Sequence, residues 1–290
     1  MKHGILVLLV LFILSAGCVG GNVQISNWPS GYEAAAVISF DVEQAQTQDI
    51  TRTVELLNKY DAKATFFVVA GYYTGAEEIL EPLHSFEVAS KGWDQSTWPD
   101  DYESQRESIK RAHTMLTENG FKPRGFRAPY LKSGAETLAA LSDLKYTYDS
   151  SGTGLLPTVE EGVVKLPLSV SYDAFWNDAV EDYLPLFYLA FEKTVDNGGV
   201  FTFYTLPENV DNRFEAFLKH LDRQNVWVVT GSEVSDWWML RSQLSLKIVG
   251  DTAVVTNNGK SSVSGATLTT KKGFVALPTI APGESARVKI

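Results

Sequence analysis

Residues 34–40 read "AAAVISF" and run directly into Asp41, Val42 and Glu43. A run that is apolar at both odd and even positions leaves no face for water, so it predicts a strand covered on both sides, as parallel sheets require. Just downstream, "DITRTVELLNKYD" (49–61) has the apolar spacing of an amphipathic helix with Asp49 as a candidate cap, and "ATFFVVAG" (64–71) reads as a second two-sided strand. Strand, helix and strand in that order form a crossover unit whose strands lie parallel.

The alternation continues along the chain. Strands are predicted near 86–89, 125–128 and 146–149, and within "VVKLPLS" (163–169), "GVFTFYTL" (199–206) and "VWVVTG" (226–231). Helices are predicted over 102–119, 179–195 and 212–221, and within "SEVSDWWMLRS" (232–242). Roughly seven or eight units in about 210 residues suit an α/β fold that closes, or nearly closes, into a (β/α) barrel. Chemistry in that architecture gathers at the carboxyl ends of the strands.

Both flanks of this pattern differ from it. The start, "MKHGILVLLVLFILSAG", sets one lysine before a short apolar run and then small residues, the layout of a secretory signal over residues 1–18. Cys18 follows "LSAG" in a way that resembles a lipobox, which makes it a lipidation site and a membrane anchor; the other reading is a free cysteine after an uncleaved anchor. Either reading places the body outside the cytoplasm, at the cell surface. Cys18 is the single cysteine, so no disulfide can form within the chain. Residues 19–31, polar and turn-rich, read as a linker before a barrel over 32–243. From 244 to 290 the composition turns to Thr, Ser, Gly and Val, with hairpin signals at Asn258-Gly259 and "APGES". This predicts a small all-β appendix, similar to an immunoglobulin-like module, whose free strand edge could dock a surface protein. With 44% hydrophobic and 21% charged residues over 290 positions, the chain can build one sizeable core. Its net charge of −10 gives no electrostatic basis for binding nucleic acid.

Three motifs fall at the predicted strand ends: "SFDVE" with Asp41 and Glu43, "FRAPY" with Arg127 and Tyr130, and "YDSSG" with Asp149. Together with "ATFFVVAG", and in this order, they resemble the polysaccharide deacetylase family, the NodB-homology domains of carbohydrate esterase family 4. The resemblance covers about Tyr32 to Arg241. It implies a deformed (β/α) barrel of about seven strands, an acetylated polysaccharide or cell-wall glycan as partner, and hydrolysis assisted by a divalent metal such as zinc. By the same resemblance Asp41 matches the catalytic base and Arg127 an orienting position.

The stretch "FEVASKGWDQSTW" (86–98) aligns with the family's histidine-bearing metal motif but holds no histidine. Lys91 and Gln95 fall where the two imidazoles belong. An ammonium has no lone pair to donate, and a neutral amide is a poor replacement for imidazole. Glu43 and Asp94 remain as candidate oxygen ligands, too few for a site that normally needs three protein ligands. Where the family places its acid histidine, "FTFYTLPE" puts Leu206 before Pro207, and an alkyl group cannot donate a proton. The expectation is therefore no bound cofactor, and a buried Asp41 that must find a cation, with Lys91 and Arg127 the candidates. For Asp149, hydrogen bonding within its turn is the simpler reading.

Lys91, Trp93 and Tyr130 are the expected substrate contacts, with Trp98 and Trp176 as further rings that could line the cleft, because flat rings stack on sugar faces. The functional expectation is a cell-surface protein of the deacetylase type that acts on or binds acetylated glycans without the usual metal-dependent reaction. Two alternatives stay open: an active carbohydrate deacetylase with a rearranged site, and a structural or assembly protein of the cell surface.

Overall fold

The computed structural model describes residues 23–95, 98–171 and 184–290. Cys18, the signal segment 1–18 and Trp176 lie outside the described residues.

The strands β1 (Gln24–Ile25), β2 (Ala34–Val42), β3 (Thr65–Val68), β4 (Glu87–Ser90), β5 (Gly125–Phe126) and β6 (Tyr148–Asp149) are followed by β7 (Thr158–Glu160), β8 (Val163–Lys165), β9 (Val170–Ser171), β10 (Val200–Thr205) and β11 (Val226–Val228). Between and after them lie helices α1 (Thr47–Lys59), α2 (Tyr102–Glu118), α3 (Ala135–Asp143), α4 (Leu184–Asp196), α5 (Asn212–Leu221) and α6 (Gly231–Ser242). All but β1 join one curled sheet of ten strands in the order β7-β8-β6-β5-β4-β3-β2-β10-β9, with β11 on β2. Every pairing in it is parallel except β7 with β8.

The curl is a deformed barrel. β2 at its centre bonds β10 along one edge and shares the other, with β11 beside Ala34–Ala36 and β3 beside Ser39–Val42. Between β6 and β10 runs the segment 163–171, in which β8 pairs with β6 and β9 with β10; the step from one neighbour to the other is made by single main-chain bonds, Leu168 N to Gly152 O at 2.7 Å and Ser169 N to Thr202 O at 2.7 Å. The expected strand–helix barrel is thus present, with its wall partly irregular.

The two faces of β2 show why the sequence had to be apolar throughout. Ala34, Ala36, Ile38, Phe40 and Val42 pack outward against residues of α1, α4 and α5, with Phe40 stacked on Phe66 at 4.9 Å between ring centres. Burying each such aromatic side chain stabilises the fold by roughly 1.5–3 kcal/mol relative to exposure. Ala35 and Val37 belong to the inner cluster, with Phe67, Ala89 and Tyr148. α1 starts two residues before the expected cap, so Asp49 sits inside its first turn, where a carboxylate favours the helix dipole, and pairs with Arg52 at 3.4 Å.

α6 closes the base of the barrel. Its N-terminus carries a capping box of Thr230 and Glu233, and the Glu87 carboxylate accepts hydrogen bonds from Ser232 N at 3.2 Å, Tyr148 Oη at 3.0 Å and Thr65 Oγ1 at 2.7 Å. The Tyr148 ring lies so close to Gly125 that a Cβ there would stand 1.9 Å from Cζ, so this position requires glycine.

The appendix is a sandwich of two three-stranded sheets. One is β12 (Leu244–Val249), β13 (Thr252–Asn257) and β16 (Ser285–Lys289); the other is β14 (Thr267–Thr270) between β15 (Gly273–Ala276) and β1. Its core residues Ala253, Val255 and Leu268 share one apolar cluster with Trp28, Trp237 and Trp238, so the sandwich and the barrel base are packed as one body. Residues 24–31, read from sequence as linker, are held between the two in extended and turn structure: Arg241 donates to Ser26 O at 2.8 Å and Ile25 O at 3.0 Å, Trp237 Nε1 to Asn27 O at 2.7 Å, and Trp28 Nε1 to Gly198 O at 2.9 Å. Among the described residues no helix is long and apolar enough to cross a membrane.

Candidate functional site

Alternation along β2 decides what reaches the carboxyl end of the barrel. After Ala35 and Val37 the inward positions become Ser39 and Asp41, and Glu43 follows in the same phase just past the strand. β4 delivers Lys91 one residue beyond its end, and β5 delivers Arg127 in the same way.

These side chains meet in a closed cluster. Asp41 is 2% exposed, Lys91 3% and Arg127 0%. Arg127 Nη1 donates to Asp41 Oδ1 at 2.6 Å, while Lys91 Nζ faces Asp41 Oδ2 at 3.2 Å and Glu43 Oε1 at 3.7 Å. Arg127 further donates through Nε to Ser150 O at 3.1 Å, and through Nη2 to Ser39 Oγ at 3.0 Å and Ser150 Oγ at 3.2 Å. Its guanidinium also lies over the Phe67 ring, 3.9 Å from the centroid, a cation–π contact. Ser39 completes the chain by donating to Phe203 O at 2.7 Å.

The protonation of Asp41 follows from this packing. Burial is the largest influence and pushes its carboxyl up, but the charges of Lys91 and Arg127 and their hydrogen bonds together outweigh it and hold the group below the usual carboxylate range. A carboxylate so held stays ionised at neutral pH and is a weak base.

Asp149 ends β6 in a different setting. It is fully buried and accepts from Ser133 Oγ at 2.7 Å, from Lys165 Nζ at 2.8 Å and from Ser151 Oγ in a short bond. Ser151 Oγ accepts in turn from Ala128 N at 2.8 Å, so this carboxylate braces the turn that carries Arg127. The turn reading of Asp149 covers Ser151; Lys165 was not foreseen.

The remaining expected residues separate. Tyr130 is exposed, with a left-handed backbone at φ 54°, and its hydroxyl donates to Gln95 O in a short bond. On the other side of Gln95, its N–H donates to Tyr72 Oη at 3.2 Å, so two exposed tyrosines flank the loop that follows Lys91. Trp93 is half-buried; the guanidinium of Arg111 covers its ring at 3.7 Å, and the ring fills the space a Cβ on Gly71 would need. Trp98 is buried against Phe126, ring centres 5.7 Å apart. Asp94, adjacent to the loop's Gln95, engages partners of its own. Leu206 stands half-buried after β10, ahead of a turn in which Pro207 O accepts from Thr53 Oγ1 at 3.3 Å.

Sequence reading missed Ser39, Ser150 and Lys165. Ser39 carried a signal, because it shares the period-two phase of Asp41; Ser150 and Lys165 carried none without the strand register.

A divalent ion with three protein ligands needs three side chains with free lone pairs. Both oxygens of Asp41 face cations, Lys91 has no lone pair to offer, and Glu43 already lies toward that ammonium. Among the described residues no three His, Cys, Asp or Glu side chains gather as a metal site. The side chains at this mouth do not fit such an ion.

A curled parallel barrel with a charged carboxyl-end cluster defines a deacetylase-type α/β fold. Residues 31–148, the first part of the barrel, match the family model described as polysaccharide deacetylase. No curated protein matches the sequence. Among solved structures, a protein from Mycobacterium smegmatis described as a polysaccharide deacetylase is similar with a TM-score of 0.65 and 20% identity, over 74% of this chain and 93% of its own. A protein from Pseudomonas aeruginosa described in the same terms gives a TM-score of 0.63 and 16% identity, over 74% and 94%. A carbohydrate esterase family 4 pseudoenzyme from Bacillus anthracis gives 0.51 and 15%, over 72% and 67%. At these identities the likeness is one of fold.

Proposed function

We propose that this chain is an exported, membrane-anchored glycan-binding protein whose barrel mouth receives acetylated polysaccharide without metal-dependent deacetylation. One observation carries the reading: the Lys91 ammonium lies buried between Asp41 and Glu43, with Arg127 on the other oxygen of Asp41. By the family resemblance this is where the metal would be held. A tethered monovalent cation satisfies the carboxylates but cannot polarise a carbonyl or activate water as a divalent ion does. Leu206, at the position of the family's acid histidine, supplies no proton to a leaving amine.

The binding half of the reading rests on the exposed rings of Tyr72 and Tyr130, held on either side of Gln95 by hydrogen bonds to its backbone. Rings fixed in this way can stack on the CH faces of sugars at little entropic cost. That a protein of this fold in Bacillus anthracis is described as a pseudoenzyme supports the same view.

Isothermal titration with chitin and cell-wall oligosaccharides, run beside an acetate-release assay with zinc, nickel, cobalt and manganese supplied, tests the proposal. Binding without acetate is the expected result. Metal-dependent acetate release that Asp41→Asn abolishes would overturn it in favour of a rearranged active site.

A further inference from the structure

The C-terminal sandwich is charged against the rest of the chain. Residues 244–290 hold six Lys and Arg against Asp251 and Glu284, a net +4 within a total of −10. All six basic residues are exposed.

Several of them stand beside exposed apolar side chains at two hairpin turns. Lys247 leads into Ile248 and Val249, 44% and 51% exposed, just before the β12–β13 turn. Lys271 and Lys272 form the β14–β15 turn, and Phe274, 43% exposed, follows it. Single exposed apolar residues are ordinary on any surface. Basic and apolar groups together at hairpin tips match the make-up of a surface that seats in the headgroup layer of an anionic bilayer.

The path of the chain points the same way. Gln24 pairs with Thr269 in antiparallel register, which sets Val23 opposite Thr270, beside the Lys271–Lys272 turn. The segment that precedes the fold therefore enters it at that turn. From Cys18 to Val23 an extended chain spans at most about 18 Å. An anchor at Cys18 would keep these lysines close to the lipid surface. At the other end of the molecule, Asp41 lies roughly 23 Å along β2 from Ala34, where residues 28–31 cover the barrel base.

We propose that the sandwich is a basic foot that seats on anionic lipid headgroups, leaving the barrel mouth turned outward. This rests on the reading of residues 1–18 as an anchor, and the test separates the two. The full chain is mixed with phosphatidylcholine vesicles with and without phosphatidylglycerol, and amide hydrogen exchange is followed at 246–252 and 269–275. Each lysine near the surface strengthens association roughly fivefold, so the Lys271–Lys272 pair alone accounts for roughly 25-fold in retention on the anionic vesicles, and amides at the tips exchange more slowly there than on neutral ones. Lys271→Gln with Lys272→Gln removes that protection, and so does high salt. Retention of the chain on neutral vesicles reports the anchor alone. A chain retained only on anionic vesicles supports the foot and overturns the anchor; one retained on neither overturns both. Equal exchange at the tips on both kinds of vesicle overturns the foot, as does equal protection by a soluble anionic polymer without lipid.

Discussion

Asp41 and Asp149 lie at the carboxyl ends of strands of the same sheet, the first one residue before the end of β2 and the second as the last residue of β6; both are buried and both face a lysine, yet they are satisfied in different currencies. Asp41 meets two cations, Lys91 and Arg127, whose side chains are 4% and 0% exposed. Asp149 meets two hydroxyls and one cation, Lys165, which keeps 20% of its side chain exposed. Two charges walled in with their partner cannot be replaced by water when one is removed, whereas a half-open lysine can. The contrast separates a carboxylate closed in by two buried cations from one that braces a turn, and it sets an order of expected effects.

The largest effect belongs to Arg127. Arg127→Met withdraws four hydrogen bonds from Asp41, Ser39 and Ser150 and leaves a buried carboxylate with one cation, so it should cost about 3–5 kcal/mol in urea unfolding. Lys91→Met should cost less, about 3 kcal/mol, because Arg127 remains. In a double-mutant cycle with Asp41→Asn the Lys91 loss should shrink by more than 1 kcal/mol, showing coupling between neighbours; additive losses would break the comparison.

Acid comes next. The Asp41 carboxyl is held below its ordinary value in the folded state, so its stabilisation is fully present above the unfolded pKa, near 3.9, and is lost as pH falls from there through the lower folded value. Glu215, held down to about 2 by hydrogen bonds from Lys59, Tyr60 and Lys219, titrates in the same sense. The difference between wild type and Asp41→Asn isolates Asp41. Stability measured from pH 5 downward should fall more steeply in the wild type, and parallel curves would contradict the charge pairing.

Lys165→Met should cost only about 1–2 kcal/mol, since Asp149 keeps Ser133 and Ser151 and water can reach the gap. A loss as large as that of Arg127→Met would erase the distinction between the clusters. Smallest in stability is Tyr130→Gly, which relieves a left-handed backbone worth roughly 1 kcal/mol while removing an exposed ring. Unfolding should be unchanged or slightly improved, and glycan affinity should fall by roughly tenfold, or about 1.4 kcal/mol. Unchanged affinity would remove Tyr130 from the binding surface.

The fold was legible where apolar periodicity was strong. The expected strand at 34–40 is β2, and the helices expected over 102–119 and 212–221 are α2 and α5 within a residue. Helix α3, nine residues long, escaped notice because so short a run gives little periodicity to read. β1, only two residues, took its structure from the Thr269 pairing and the Arg241 clamp, and such distant partners leave no mark in local sequence. At the site, Asp41, Lys91 and Arg127 could be named from motif order, and the structure brings all three together. Trp93 could not be placed: whether a ring faces a cleft or an arginine on the next helix depends on packing that one sequence does not encode locally.

A zinc titration of the folded protein by calorimetry, wild type beside Asp41→Asn, addresses most directly the proposal that Lys91 stands in place of a metal. Two matching weak isotherms are the predicted result, because both oxygens of Asp41 already face cations. A one-to-one zinc site in the wild type that vanishes in Asp41→Asn would contradict it.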